Sequence, residues 1–114
     1  MKRGEIWTIA GGGDYAGKPR PVVIVQDDRF DITRSITVCG FTTNTTAAPL
    51  FRLPVQPTAQ NGLRATCSVM ADKVVTVPRT KLGLQIGRLS DEDMVRLNRA
   101  LLVFLGIAGP NVDV

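Results

Sequence analysis

The sequence predicts a small antiparallel β-barrel or sandwich with one C-terminal helix, a mainly β fold of α+β type. Two patterns predict it. Short apolar or alternating runs, separated by turn residues, fill the chain as far as Leu89. Helical spacing of apolar residues begins only after Ser90. At 114 residues, the chain has enough surface to bury for one core but not two, so residues 1–114 read as a single domain.

The elements follow in order. Gly4 to Ile9 alternates well enough for a first strand, and the glycine-rich "AGGGDYAG" after it is a loop. Val22 to Gln26 is a β-branched run suited to a buried strand. "DDRFDITR" is turn-like, and Ser35 to Phe41 forms a third strand running into the threonines that start at Thr42. Phe51, Leu53 and Val55 share one face of a fourth strand. "QPTAQNG" is a turn segment ending in Asn61-Gly62. Ala65 to Met70 and Val74 to Val77 read as two separate strands, "PRTKLG" as a turn or one helical turn, and Gln85 to Leu89 as a short last strand. Ser90, followed by Asp91, Glu92 and Asp93, is an N-cap with acidic residues in the first turn. Met94, Leu97, Leu101, Phe104 and Leu105 then recur at helical spacing, until Gly106 or Gly109 with Pro110 stops the helix.

Composition narrows the function. The chain is 44% hydrophobic and 21% charged, ordinary for a soluble domain. No apolar run approaches the ~20 residues of a membrane span. "MKRGEIW" has no apolar segment behind its basic residues, so no signal peptide is expected and the cytoplasm is the expected location. Cys39 and Cys67 are far apart and lack metal-ligand spacing; they read as small buried hydrophobes. There is no histidine. That excludes the usual nucleophilic triads and the two-histidine route to RNA cleavage, and neither metal nor cofactor is expected. The formal charge is +4, with ten arginines against four lysines. Such a balance suits an anionic partner, either nucleic acid or an acidic protein segment.

One stretch stands out: "GKPRPVVIVQDD", Gly17 to Asp28. Pro19 and Pro21 push Lys18 and Arg20 toward extended backbone. Arg20 thus sits on a stiff mount at the entrance to a strand. A strand-capping arginine at the surface is the plain alternative.

Together, "RGEIW" (Arg3 to Trp7), "RPVVIVQDD" (Arg20 to Asp28), Thr42-Thr43 and "GRLSDEDMVRLNRAL" resemble the MazF/PemK family, the toxins of bacterial type II toxin–antitoxin systems. The resemblance runs from Lys2 to about Ile107. It implies an SH3-like antiparallel barrel with a C-terminal helix, a homodimer, and metal-independent cleavage of single-stranded RNA, often mRNA, leaving 2′,3′-cyclic phosphate and 5′-hydroxyl ends. It also implies a MazE-like antitoxin partner whose C-terminal tail blocks the RNA groove. The family's "RPV" arginine falls on Arg20 and its catalytic threonine on Thr42. Asp72 is a further candidate, as a base. One subgroup has Arg-x-Asp there, whereas this chain reads Met70-Ala71-Asp72. Lys18, Thr43, Arg64 and Lys73, with Tyr15 as a stacking platform, are candidates to contact RNA. Arg52, Arg79 and Lys81 are additional phosphate candidates. The alternative on this scaffold is a CcdB-like, non-enzymatic poison of DNA gyrase. Those proteins act through C-terminal residues that include a tryptophan; the only tryptophan here is Trp7.

Overall fold

The computed structural model describes residues 1–10, 19–44 and 46–108. Six strands form one antiparallel sheet: β1 (Glu5–Ile9), β2 (Arg20–Ile24), β3 (Ser35–Thr42), β4 (Arg52–Val55), β5 (Cys67–Pro78) and β6 (Leu82–Arg88). Their order across the sheet is β4-β5-β3-β2-β1-β6, and among the described residues one α-helix, α1 (Asp91–Phe104), follows. This is the expected antiparallel fold with its C-terminal helix.

The sheet is open rather than closed, with β4 and β6 as its two edges. The segment after β4 lies against β6 instead. Asn61 is buried there and accepts through Oδ1 from the Thr58 and Leu63 amides at 2.9 and 3.0 Å, while its Nδ2 donates to the Gln56 carbonyl at 2.8 Å. The Arg88 amide donates to the Gln60 carbonyl at 3.0 Å, tying β6 to this segment. Gly62 has φ +69°, and a Cβ there would lie 2.0 Å from the Ile86 carbonyl oxygen, so the turn requires glycine. One buried asparagine thus fills the gap that strand pairing leaves.

The largest departure from expectation is β5. The two strands expected at Ala65 to Met70 and Val74 to Val77 are one continuous strand of 12 residues. Polar Asp72 and Lys73 interrupt the apolar pattern, but they mark a bulge, not a break. Cys39 pairs with Val74, and the next pair is Phe41 with Val69. Only Gly40 therefore faces the four residues Met70 to Lys73, which bends β5 and lets its first half pair with β4 as well. β2 and β6 also begin earlier than expected, at Arg20 and Leu82.

Side chains alternate across the strands, so the sheet has two different faces. One carries the main core: Ile6, Val23, Cys39, Phe41, Leu53, Val55, Val69 and Ala71 pack with Leu89, Leu97 and Ala100. The other carries a smaller cluster of Val22, Ile24, Ile36 and Val38, covered by Met1, Trp7, Ile9, Val77 and Leu82.

Helix α1 closes the main core. The Ser90 hydroxyl accepts from the Asp93 amide at 3.1 Å, the cap the acidic first turn predicts. The helix stops where Gly106, at φ +74°, donates to the Val103 carbonyl while Ile107 donates to Leu102. Its far end is less buried than helical spacing predicts. Phe104 stacks edge-on against Phe51 at 6.0 Å, yet Phe104, Leu105 and Ile107 remain exposed. No helix among the described residues is long and apolar enough to cross a membrane.

Candidate active site

Arg20 is the first residue of β2 and Thr42 the last of β3, on adjacent antiparallel strands. The ladder between them pairs Ile24 with Val38, Val23 with Cys39 and Val22 with Gly40. Continuing that register by two residues sets Arg20 across from Thr42, roughly one interstrand spacing of ~4.8 Å away at the backbone. Alternation places both on the face of the smaller cluster, just past its edge. Arg20 is exposed and Thr42 half-buried.

Proline chemistry explains the mount. Pro21 lies opposite Thr8 in the β1 ladder, and Arg20 opposite Ile9. Arg20 therefore belongs to the strand itself rather than to its approach, and the sheet holds its backbone.

The Thr42 hydroxyl accepts from the Asn44 amide at 3.1 Å. That bond fixes the oxygen and leaves its proton available to donate elsewhere. Asn44 in turn accepts from the Thr46 hydroxyl at 2.6 Å and the Thr46 amide at 3.0 Å. The turn after β3 is thereby built from its own side chains. The β2–β3 ladder ends at Val22 and Gly40, so Arg20 and Thr42 each lie two residues beyond it, at the start of β2 and the end of β3.

Extending the row across the sheet adds residues that sequence reading passed over. Thr42 pairs with Ser68 on β5, which is buried, and Ser68 pairs with Pro54 on β4. The next row runs from Arg52 through Met70 to Gly40 and Val22. Pairing across strands is not visible in a single chain, which is why Ser68 carries no signal there beyond its position in a strand and Met70 only that of standing where one subgroup has arginine.

Asp72 has a specific neighbour. Arg52 binds it with both arms of the guanidinium, Nε to Oδ1 at 2.7 Å and an Nη to Oδ2 at 3.0 Å. The hydrogen bonds from Arg52 hold the Asp72 carboxyl below its ordinary range, and the same bonds push Arg52 further up. A carboxylate so engaged is a poor proton acceptor. The arginine absent at position 70 is thus matched by Arg52, which stands directly across from Met70 on β4 and grips the same aspartate.

The remaining RNA-contact candidates are scattered. Thr43 and Arg64 are exposed, and Lys73 is exposed in the β5 bulge. Tyr15 and Lys18 lie outside the described residues. Arg79 is committed to structure: it donates to the carbonyls of Thr33 and Asp31 and to the Asp31 carboxylate. Trp7 packs in the smaller cluster and donates to Glu5 at 2.9 Å. Both cysteines are free and buried; burial raises both thiols, that of Cys39 to about 11. Such thiols stay protonated and unreactive at neutral pH. Among the described residues no three His, Cys, Asp or Glu side chains gather as they would to hold a metal ion.

Comparison with known proteins converges on one family. Residues 2–105 match the family model described as the PemK-like, MazF-like toxin of type II toxin–antitoxin systems. A probable endoribonuclease MazF from Mycolicibacterium smegmatis is 60% identical over 109 residues, covering 96% of this chain and all of the relative. The Mycobacterium tuberculosis toxin MazF-mt6 superposes with a TM-score of 0.72 at 28% identity, covering 88% of this chain and 96% of that one. A mycobacterial endoribonuclease solved with its cognate antitoxin has the same fold, with a TM-score of 0.78 at 24% identity over 96% of this chain and 99% of that one. The chain belongs to the PemK-like, MazF-like family of type II toxins.

Proposed function

We propose that this MazF-family toxin, with residues 1–114 acting as one domain, is an endoribonuclease that cuts single-stranded RNA, mRNA above all, at short sequences and so arrests growth. The β2–β3 register supports this reading: continued two residues past Val22 and Gly40, it brings Arg20 toward Thr42 at the strand ends. The substrate supplies its own nucleophile. The 2′-oxygen bonds to the adjacent phosphorus and the bond to the 5′-oxygen breaks. This leaves a 2′,3′-cyclic phosphate and a 5′-hydroxyl. Negative charge builds on the phosphoryl oxygens in the transition state, and donors already aimed at that charge are the largest lever an enzyme has. Arg20 binds those oxygens with its fork, and Thr42 donates its hydroxyl proton to them.

Arginine remains charged at any working pH, since its pKa exceeds ~12. The proton of the 2′-hydroxyl passes to water at the open rim. The departing 5′-oxygen takes its proton at the Arg20 fork, which recovers one from solvent. Asp72 acts through Arg52 and holds it in place. Thr43, Arg64 and Lys73 contact the RNA backbone beyond the cut, together with Lys18 and Tyr15.

The partners follow from the family and the charge. A MazE-like antitoxin with an acidic C-terminal tail suits a chain of net charge +4. A second copy of the chain covers the apolar surface left by Leu102, Leu105 and Ile107. The cytoplasm, where the RNA is, is the place of action.

The test uses purified protein and a long RNA in EDTA, with every new 5′ end mapped. Hydroxyl ends are expected, and a substrate carrying 2′-deoxyribose at the cut nucleotide should resist. Cleavage of that deoxy substrate, or 5′-phosphate ends, would refute the chemistry.

A further inference from the structure

We propose that Met70 is a specificity-determining residue, whose thioether forms the surface on which the nucleobase next to the cut phosphate rests. The inference builds on the endoribonuclease reading and names a further residue of that site.

Four observations place Met70 there. It alternates with the buried core residues Val69 and Ala71, so it stands on the opposite face, the one that carries Arg20 and Thr42. It is the first residue of the bulge that faces Gly40, and its methyl group sits 3.1 Å from where a Gly40 Cβ would be. Gly40 is two residues before Thr42 on the same face, ~6.8 Å away along the strand. Met70 is also half-buried, so part of the side chain is open to a ligand.

A phosphate held between Arg20 and Thr42 carries a ribose and base on either side. On one side the strands end. On the other the nucleotide must lie over the next row of the sheet, where Gly40 contributes no side chain and Met70 folds over it. What the base meets is therefore a polarisable thioether. Sulfur packs well against the face or edge of an aromatic ring and adapts to its outline. It offers the base edges little hydrogen bonding. Met70 accordingly selects by stacking and shape, not by base pairing. The Arg52–Asp72 pair behind it keeps the floor from moving, since Arg52 is its cross-strand partner.

The experiment cuts an RNA library with randomised flanks and sequences the new 5′ ends. Wild type is compared with Met70→Ala, Met70→Gln and Met70→Leu, each checked for folding by thermal melt. Met70→Leu should keep the preference at the position beside the cut. Met70→Ala and Met70→Gln should each flatten it by about tenfold. An unchanged preference in both folded variants, or a slowing of every site by one common factor, overturns the proposal. Arg20→Ala on the same library keeps the two readings apart. If it cuts like wild type, the site assigned to Arg20 fails whatever Met70 does. If it is dead while the Met70 variants keep the wild-type pattern, only the present inference fails.

Discussion

The two faces of the one sheet differ in what they are for. Toward α1 the buried sheet residues of the main core are hydrocarbon or thiol, and Leu97 and Ala100 seal it. On the reverse, the apolar cluster covers only part of the sheet, and past its edge come Arg20, Thr42, Met70 and the Arg52–Asp72 pair. The same strands serve both, offset by a single residue. Val23 is core and Val22 belongs to the second cluster; Phe41 is core and Thr42 is catalytic in our reading. Stability and chemistry are thus interleaved along the chain yet separated in space. Substitutions on one face should leave the other largely intact.

The strongest test of that separation is Arg20→Ala. Cleavage should fall by about a hundred- to a thousandfold, the range for losing a principal charge-stabilising donor, while the thermal melt stays near wild type. A large drop in melting temperature would show that Arg20 serves the fold instead. Leu97→Ala works from the other side. It removes a fully buried side chain and should cost about 3 kcal/mol of stability by denaturant titration. At temperatures where the variant is folded, its cleavage rate should match wild type.

Thr42→Val keeps the shape and deletes the hydroxyl. A loss of about ten- to a hundredfold in kcat/KM is expected, with KM little changed if the hydroxyl acts mainly in the transition state. The smallest effect belongs to Asp72→Asn. The Arg52 bonds lower the Asp72 pKa in the folded state. Its stabilisation is therefore complete above the ordinary carboxylate value and disappears as pH falls through the lowered one. The variant should be about 1 kcal/mol less stable than wild type at pH 7, and the gap should close as the solution is acidified below the ordinary carboxylate range. A constant gap at every pH would mean that the pair contributes by packing alone.

Much of this was legible from residue types. Ser90 with its acidic followers announced a helix start because a hydroxyl beside free amides has one obvious use, and the structure has that bond. "RPVV" announced a strand because prolines and β-branched residues leave the backbone few alternatives. β5 was misread for an equally physical reason. Asp72 and Lys73 look like a turn when read along the chain, but their bulge is defined only by Gly40 on another strand. The same limit hid the match between Arg52 and the position of Met70. Arg52 stood out only as a cation, because its distance from Asp72 in the sequence says nothing about the two bonds that join them. Open edges were hidden too. Whether β4 meets β6 depends on where Asn61 lodges, a question of three-dimensional fit.

The bulged length of β5 bears on how the cell survives making this protein. During synthesis Arg20 and Thr42 leave the ribosome well before Ser68, Met70 and Asp72, and the supporting strand is complete only when Pro78 has emerged. Until then Thr42 lacks its partner Ser68, and β3 lacks the neighbour that holds its end in line. Long-range strand pairing of this kind forms late in folding. In our reading a half-made chain therefore lacks the finished site, and RNA cleavage waits for β5.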